Sequence, residues 1–293
     1  MHDIAVIVVN WNACQDLRCC LSHLFSEPKP DVDFAVWVID NGSTDGSPDM
    51  VATEFPEVRL VRNPDNRGFS RANNQGISTA LHERYRYVYL INSDAYVHGA
   101  DTLDKIVSFG DEHPEIGIFG TKVLNLDGSL QMSCRRWMTF GAAIFRNTLM
   151  GSLFPNNKFA RQYLMEDTSH DRPRQVDWVS GCSMVVRMDL IDRIGALDER
   201  FFMYCEDVDI CKRAWNAHSQ VWYLSNAVVT HKIGASSDQN AERMIWEFHR
   251  SWAIYDAKYN PGFRPVRRLM VESGLWLRAA VRILNRRRRG SRS

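Results

Sequence analysis

Glu206, Asp207 and Asp209 crowd together in the stretch FFMYCEDVDIC, directly after an aromatic run. Three carboxylates so close repel one another unless they face water, cap a helix or hold other groups. The first turn of a helix favours the ionised form. An ionised carboxylate in an aromatic-walled pocket can take a proton from a hydroxyl group as general base. Asp207 suits that role, Glu206 could orient the hydroxyl-bearing molecule, and Asp209 could cap the helix or hold an arginine. Plain N-terminal helix acids are the competing explanation. A second acidic group, Asn92-Ser93-Asp94, ends the apolar run YVYLI. A hard cation, Mg²⁺ or Mn²⁺, takes oxygen ligands and holds phosphates, and Asp94 can supply one carboxylate. Asp94 could equally cap a following helix.

Further polar clusters suit a nucleotide. In IDNGSTDGS, Asp40 and Asn41 follow an apolar run and could bond a pyrimidine N–H or a ribose hydroxyl. A turn capped by an Asx side chain is the alternative, with Asp45 as the capping residue. NRGFSRANNQG brings Arg67, Arg71, Asn73 and Asn74 to a helix start, where phosphate binds readily. VVTHKIGASS places His231 and Lys232 after a strand, where either could meet a diphosphate and His231 could share a metal with Asp94.

These groups need a frame. IAVIVVN (4–10), FAVWVID (34–40), VRLVRN and YVYLINSD read as apolar strands alternating with helical stretches. In ACQDLRCCLSHLF, Leu17, Cys20, Leu21 and Leu24 recur at helical spacing. Strands apolar along their length are buried on both faces, which predicts a mostly parallel, doubly wound sheet. Ligands of such sheets sit at the carboxyl ends of the strands, so the clusters at Asn10, Asp40 and Asn92 should converge on one crevice. The second half reads differently. IGIFGTKVLNLDGSLQ predicts a hairpin turning at Asp127-Gly128, and VDWVSGCSMVVR reads as one strand containing Gly181. MDLIDRIG reads as a short helix closed by Gly195, VWYL and AVVTH as two short strands, and 239–259 as a helix. Residues 140–175 predict a long loop with short helices.

Composition bounds the rest. The chain has 293 residues, 45% hydrophobic and 24% charged, with net charge +1, as for a soluble globular protein. Its seven cysteines include no CxxC pair, which favours reduced core thiols in a cytosolic protein over a disulfide or zinc framework. The first ten residues read as a strand rather than a signal peptide, and no apolar run reaches the ~20 residues of a membrane span.

Taken in order, VIVVNWN, VIDNGSTDGS, NRGFSRANNQG, LINSDAYV, VSGCSMVVR, ALDERFFMYCEDVDICKRAW and THKIGAS resemble the inverting GT-A glycosyltransferases of family 2, nearest to the bacterial rhamnosyltransferase branch. The resemblance covers residues 4–237. It implies a GT-A fold, a Rossmann-like, mostly parallel sheet flanked by helices, with a nucleotide-sugar donor and Mg²⁺ or Mn²⁺. It puts Asp94 at the DxD-like position, Asp40 and Asn41 at the nucleotide, and Asp207 at the general base of the ED motif. The DxD position reads Asn92-Ser93-Asp94, with an amide in place of one carboxylate. Asn10, Arg71, Asn73 and Asn92 join the expected nucleotide site, and Trp178 and Tyr204 the apolar walls of the acceptor site. The expected reaction moves a sugar, L-rhamnose from dTDP-L-rhamnose foremost, onto a cell-envelope polysaccharide or polyprenyl-linked precursor. A UDP-sugar donor, or a non-catalytic sugar-binding protein of the same fold, are the alternatives.

The expected organisation is a domain over 1–260, with its nucleotide half at 1–125 and its acceptor half at 126–260, followed by a tail over 261–293. Within 264–293 arginines abound and Glu272 is the one acidic residue, so the remainder is acidic on balance. Leu269, Trp276, Leu277, Ala280, Val281 and Leu284 recur among those arginines. This predicts a basic amphipathic helix lying on anionic lipid at the cytoplasmic membrane face. No nucleic-acid motif accompanies the charge, so no nucleic-acid partner is expected.

Overall fold

In the computed structural model, the described residues are 2–26, 28–139, 141–142, 153–154, 156–232, 241–260, 273–276, 279–280 and 283. Four parallel strands form the first half: β1 (His2–Asn10), β2 (Phe34–Asp40), β3 (Arg59–Arg62) and β4 (Tyr85–Asn92). They lie in the order β3-β2-β1-β4. Ile4 to Val8 are wholly buried, so both faces of β1 are covered. Helix α1 (Cys14–Leu24) covers one face with Leu17, Cys20, Leu21 and Leu24, packed with Ile4, Val6 and Val8. On the other face α3 (Phe69–His82) presents Ala72, Ile77 and Ala80 to Ala5 and Ile7. Helix α2 (Ser47–Glu54) runs between β2 and β3. Asp45 accepts from the Cys14 and Ser47 amides at 2.8 and 3.0 Å and so links the first residues of α1 and α2.

The second half continues the same sheet with mixed direction. After β5 (Ala95–Val97) and α4 (Thr102–Glu112) comes β6 (Ile116–Leu124), which pairs antiparallel with the short β7 (Leu130–Gln131) across the expected turn. Gly128 in that turn has φ +80°. The short β8 (Cys134–Arg135), α5 (Lys158–Leu164) and β9 (Arg174–Gln175) follow. VDWVSGCSMVVR is two strands, not one: β10 (Trp178–Val179) pairs with β8, while β11 (Ser183–Arg187) enters the main sheet. Gly181 lies in the break, where the chain leaves one sheet for the other. β11 runs antiparallel to both β4 and β6. Its Ser183 hydroxyl fills the buried seam, 2.8 Å from the Tyr89 hydroxyl and 2.6 Å from that of Thr121.

Helix α6 (Met188–Ile194) ends at Gly195, which has φ +77°. Then come α7 (Glu206–Asn216), β12 (Gln220–His231) and α8 (Ala241–Tyr259). VWYL and AVVTH belong to the single strand β12, whose register against β6 shifts between Leu224 and Val228. That irregularity made one strand read as two. The full order is β3-β2-β1-β4-β11-β6-β12-β5. The fold is α/β, with a mixed, mostly parallel sheet between helices.

Helix α8 is clamped to α7. The wholly buried Asp209 accepts from Arg213 Nε at 2.9 Å and the Tyr259 hydroxyl at 2.8 Å, and pairs with Lys258 Nζ at 2.6 Å. Ser251 donates to the Met203 carbonyl at 2.8 Å. Of the tail, Trp276 packs on Trp246 at 5.1 Å between ring centroids, and Ala279 and Ile283 are buried. Leu269, Leu277, Val281 and Leu284 lie outside the described side chains. All seven cysteines are free.

Candidate active site

A cleft of about 520 Å³ opens at the carboxyl ends of the central strands. Asn41, Asn92, Asp94, Trp178, Tyr204, Glu206, Asp207 and His231 all line it. Residues far apart in the chain meet there because β4 delivers Asn92 and Asp94, β12 delivers His231, and the start of α7 delivers the two acids.

The entry to α7 is bent to do this. Tyr204 and Cys205 both take left-handed conformations, with φ +70° and +67°. Such backbone costs on the order of 1 kcal/mol per non-glycine residue and persists only where its surroundings hold it. Here the preceding loop is held by the Phe69 amide, which donates to the Phe202 carbonyl at 2.7 Å. The sharp turn aims Glu206 and Asp207 into the cleft. Asp207 accepts from the Gly181 amide at 3.1 Å and the Val208 amide at 2.8 Å. Burial nevertheless pushes its carboxyl above the ordinary range, the two amides pulling the other way. Glu206 is buried and its Oε2 has no partner among the described residues. Burial, and then the neighbouring Asp207 charge, hold the Glu206 carboxyl well above the usual carboxylate range. Both carboxyls are thus held above the ordinary range, and of the two Asp207 is the one that accepts from two backbone amides.

In the same cleft, His231 Nε2 stands 3.3 Å from Asp94 Oδ1 and 3.3 Å from Asn92 Nδ2. The pairing of His231 with Ala95 in adjacent strands brings them together. His231 Nδ1 lies 2.8 Å from Gln131 Oε1. With that amide oxygen accepting from Nδ1–H, the Nε2 lone pair faces the Asp94 carboxylate. One carboxylate oxygen and one imidazole nitrogen, oriented from behind by an amide, form a donor pair that fits a divalent cation. Among the described residues no third His, Cys, Asp or Glu joins them. Such an ion would complete its shell with phosphate oxygens and water, as Mg²⁺ commonly does.

Of the other expected nucleotide residues, Asn41 lines the cleft and Asn10, Asp40, Arg71 and Asn73 do not. Asp40 is buried behind the cleft, accepting from Asn10 Nδ2 at 3.0 Å and the Ser43 amide at 2.9 Å. Asn10 also donates to the Ser43 hydroxyl at 3.1 Å, so both side chains brace the turn at 41–44. Asn10 Oδ1 is buried and has no partner among the described residues. Asn73 donates to the Phe69 carbonyl at 3.0 Å inside its own helix. Arg71 pairs with Glu199 at 3.0 Å on the surface. Neither Arg71 nor Asn73 reaches the cleft. Asn41 does, while donating to the Gly68 carbonyl at 3.2 Å. Trp178 lines the cleft with its indole N–H on the Arg136 carbonyl at 3.2 Å.

Several lining residues went unnoticed in the sequence. Gln131 and Arg135 lie on short strands whose pairing is long-range, and Met244, Phe248 and Trp252 lie on α8. The signal available for the last three was their helical spacing at i, i+4 and i+8.

Residues 5–190 match the model of glycosyl transferase family 2, and the chain belongs to that family. It is a glycosyltransferase of GT-A fold, similar to rhamnosyl- and hexosyltransferases. It is 28% identical over 270 residues to the N-acetylglucosaminyl-diphospho-decaprenol L-rhamnosyltransferase of Mycobacterium tuberculosis, covering 87% of each chain. Among solved structures it superposes on Staphylococcus aureus TarS residues 1–349 with a TM-score of 0.55 at 16% identity, covering 94% of this chain and 70% of that one. The mannosyltransferase PcManGT of Pyrobaculum calidifontis, solved with GDP-Man and Mn²⁺, superposes with a TM-score of 0.52 at 18% identity, covering 96% of this chain and 77% of that one.

Proposed function

We propose that the protein is an inverting hexosyltransferase that moves L-rhamnose from dTDP-L-rhamnose onto a hydroxyl of a lipid-linked cell-envelope glycan precursor. The observation that carries the reaction is that Asp94 and Asp207 line one and the same cleft. The rhamnosyltransferase relative, similar over 87% of this chain, supports the choice of sugar and of a diphospholipid acceptor.

In this mechanism the acceptor hydroxyl gives its proton to Asp207 as its oxygen forms a bond to the anomeric carbon. The bond from that carbon to the departing diphosphate oxygen breaks on the opposite face, so configuration inverts. The raised affinity of Asp207 for protons brings it nearer the strength that general-base catalysis favours. Glu206, retaining its proton, orients the acceptor by donating a hydrogen bond. Trp178 and Tyr204 form apolar walls. Asp94 and His231 would hold Mg²⁺ or Mn²⁺, which would offset charge on the leaving diphosphate. Asn41 and Asn92 line the donor side, with Asn10 and Asp40 supporting the nucleotide site from behind.

Residues 1–260 form the catalytic unit, 1–125 serving the nucleotide and 126–260 the acceptor. Residues 261–293 hold the protein on the cytoplasmic face of the membrane. No helix of the described residues is long and apolar enough to cross a membrane.

The test is Asp207→Asn. Transfer is expected to fall by a factor of at least ~10², while binding of dTDP survives. Transfer at the wild-type rate would remove Asp207 from the role of base. A thermal-shift panel of nucleotide sugars tests the donor, and dTDP-rhamnose should stabilise most at equal concentration. Greater stabilisation by a UDP-sugar would overturn the assignment.

A further inference from the structure

The family-matched residues 5–190 end before α8, yet α8 supplies one wall of the cleft. Met244, Phe248 and Trp252 recur every four residues, so they share one face of the helix, and all three line the cleft. An aromatic ladder begins beside the catalytic acids. Tyr204 meets Phe248 edge-on at 5.5 Å, and Phe248 meets Trp252 at 6.3 Å between ring centroids. At the start of the helix the exposed Arg243 guanidinium lies 4.6 Å from the Phe202 ring centroid and also lines the cleft. Arg243 makes no ion pair with a carboxylate of the described residues.

This apolar face contrasts with the polar part of the lining. There Asn41, Asn66, Asn92, Ser93 and Asp94 offer amides, a hydroxyl and a carboxylate. A sugar needs such hydrogen-bonding partners, because burying its hydroxyls without them is costly. The three α8 side chains offer almost none. They suit hydrocarbon, and the arginine beside them suits an anion. A ligand meeting both must join a phosphate to an apolar chain. The wall is also preformed, since Asp209, Lys258, Tyr259 and Ser251 lock α8 in place, which keeps the ordering cost of binding small.

We infer that the α8 wall binds the non-sugar part of the acceptor, a polyprenyl diphosphate. Arg243 meets the phosphates, and Met244, Phe248 and Trp252 meet the first isoprenoid units. The assignment rests on the reading of the same cleft as a glycosyltransferase site with a lipid-linked acceptor. It adds the residues that recognise the lipid carrier, and they lie in a part of the chain that the family match does not reach.

Equilibrium dialysis of the full-length chain with labelled farnesyl diphosphate tests it, with saturating dTDP and Mn²⁺ present to fill the donor side. Farnesyl diphosphate should remain bound, and inorganic diphosphate and farnesol should each compete at least about tenfold more weakly. Arg243→Gln, a change at an exposed residue, should weaken farnesyl diphosphate about tenfold or more, the scale of one lost charged hydrogen bond, with dTDP affinity unchanged. Phe248→Ala should weaken farnesyl diphosphate but not inorganic diphosphate. Displacement of farnesyl diphosphate by dTDP, or unaltered affinity in Arg243→Gln, would overturn the assignment. The measurement involves no sugar transfer. A failure of dTDP-rhamnose as donor therefore strikes only the proposed donor, and a failure of the dialysis strikes only the lipid subsite.

Discussion

Asp207 and Glu206 are adjacent carboxyls that burial holds above the ordinary range, in different surroundings. Asp207 receives two backbone amides, whereas Glu206 is buried with one oxygen unpartnered among the described residues and a negative neighbour. In the unfolded chain Glu206 ionises near the ordinary value of about 4.3. The folded protein keeps that proton to higher pH. Its contribution to stability therefore falls as pH rises from that ordinary value to the raised folded one, by about 1.4 kcal/mol per pH unit. Glu206→Gln removes this liability. Its melting temperature relative to wild type should be near parity at pH 4 and climb through neutral pH, and a gap that narrows as pH rises would contradict this account. Gln131 acts at the same scale. Without its oxygen on Nδ1, His231 loses its fixed tautomer and ring orientation. Gln131→Ala should weaken Mn²⁺ binding by about 10- to 100-fold, read from the free-ion signal in electron paramagnetic resonance. Unchanged Mn²⁺ affinity would detach Gln131 from the metal site.

Elements carry these residues, and two contacts decide their placement. Gly68 has φ +85°, and a Cβ there would come within 2.6 Å of the Phe202 carbonyl oxygen. Gly68→Ala must push away the loop that leads to Glu206. It should cost about 1–3 kcal/mol in urea unfolding and lower transfer as well. Asp209 shows the second contact. The Arg213 and Lys258 partners are mostly buried, so Asp209→Ala leaves Arg213 without its carboxylate, while Lys258 keeps Asp198 at 2.7 Å. The expected loss is about 3–5 kcal/mol. Hydrogen exchange along 241–259 should accelerate more than in the strands of the first half. Uniform acceleration would mean that Asp209 supports the whole fold rather than the docking of α8.

At the scale of the whole molecule, charge is unevenly spread. The arginine-rich end offsets an acidic remainder, and part of it rests on the body through Trp276, Ala279 and Ile283. Trp276 packs on Trp246 yet remains 38% exposed, so its ring stays open to lipid while the arginines supply the charge. Replacing Arg286, Arg287, Arg288 and Arg289 by Gln should release the protein from anionic vesicles, at about 1 kcal/mol per charge, while transfer to a water-soluble acceptor persists. Retention of that variant on the vesicles would remove the tail as the anchor.

Local patterns in the chain were enough to reveal the strands of the first half, the buried stripe of α1, the turn at Asp127-Gly128 and the acids at 94, 206 and 207. Each depends on periodicity or on neighbouring residues, which a linear reading preserves. The antiparallel entry of β11, the division of 176–187 between two sheets and the continuity of β12 depended on pairing partners distant in sequence. The same limit explains Asp40 and Asn10. Their residue types suit a nucleotide, yet adjacent strand ends turn them toward each other and toward Ser43. Tertiary structure alone decided which polar side chains satisfy the fold and which face the cleft, because hydrogen-bonding capacity is a property of a residue while its partner is a property of packing.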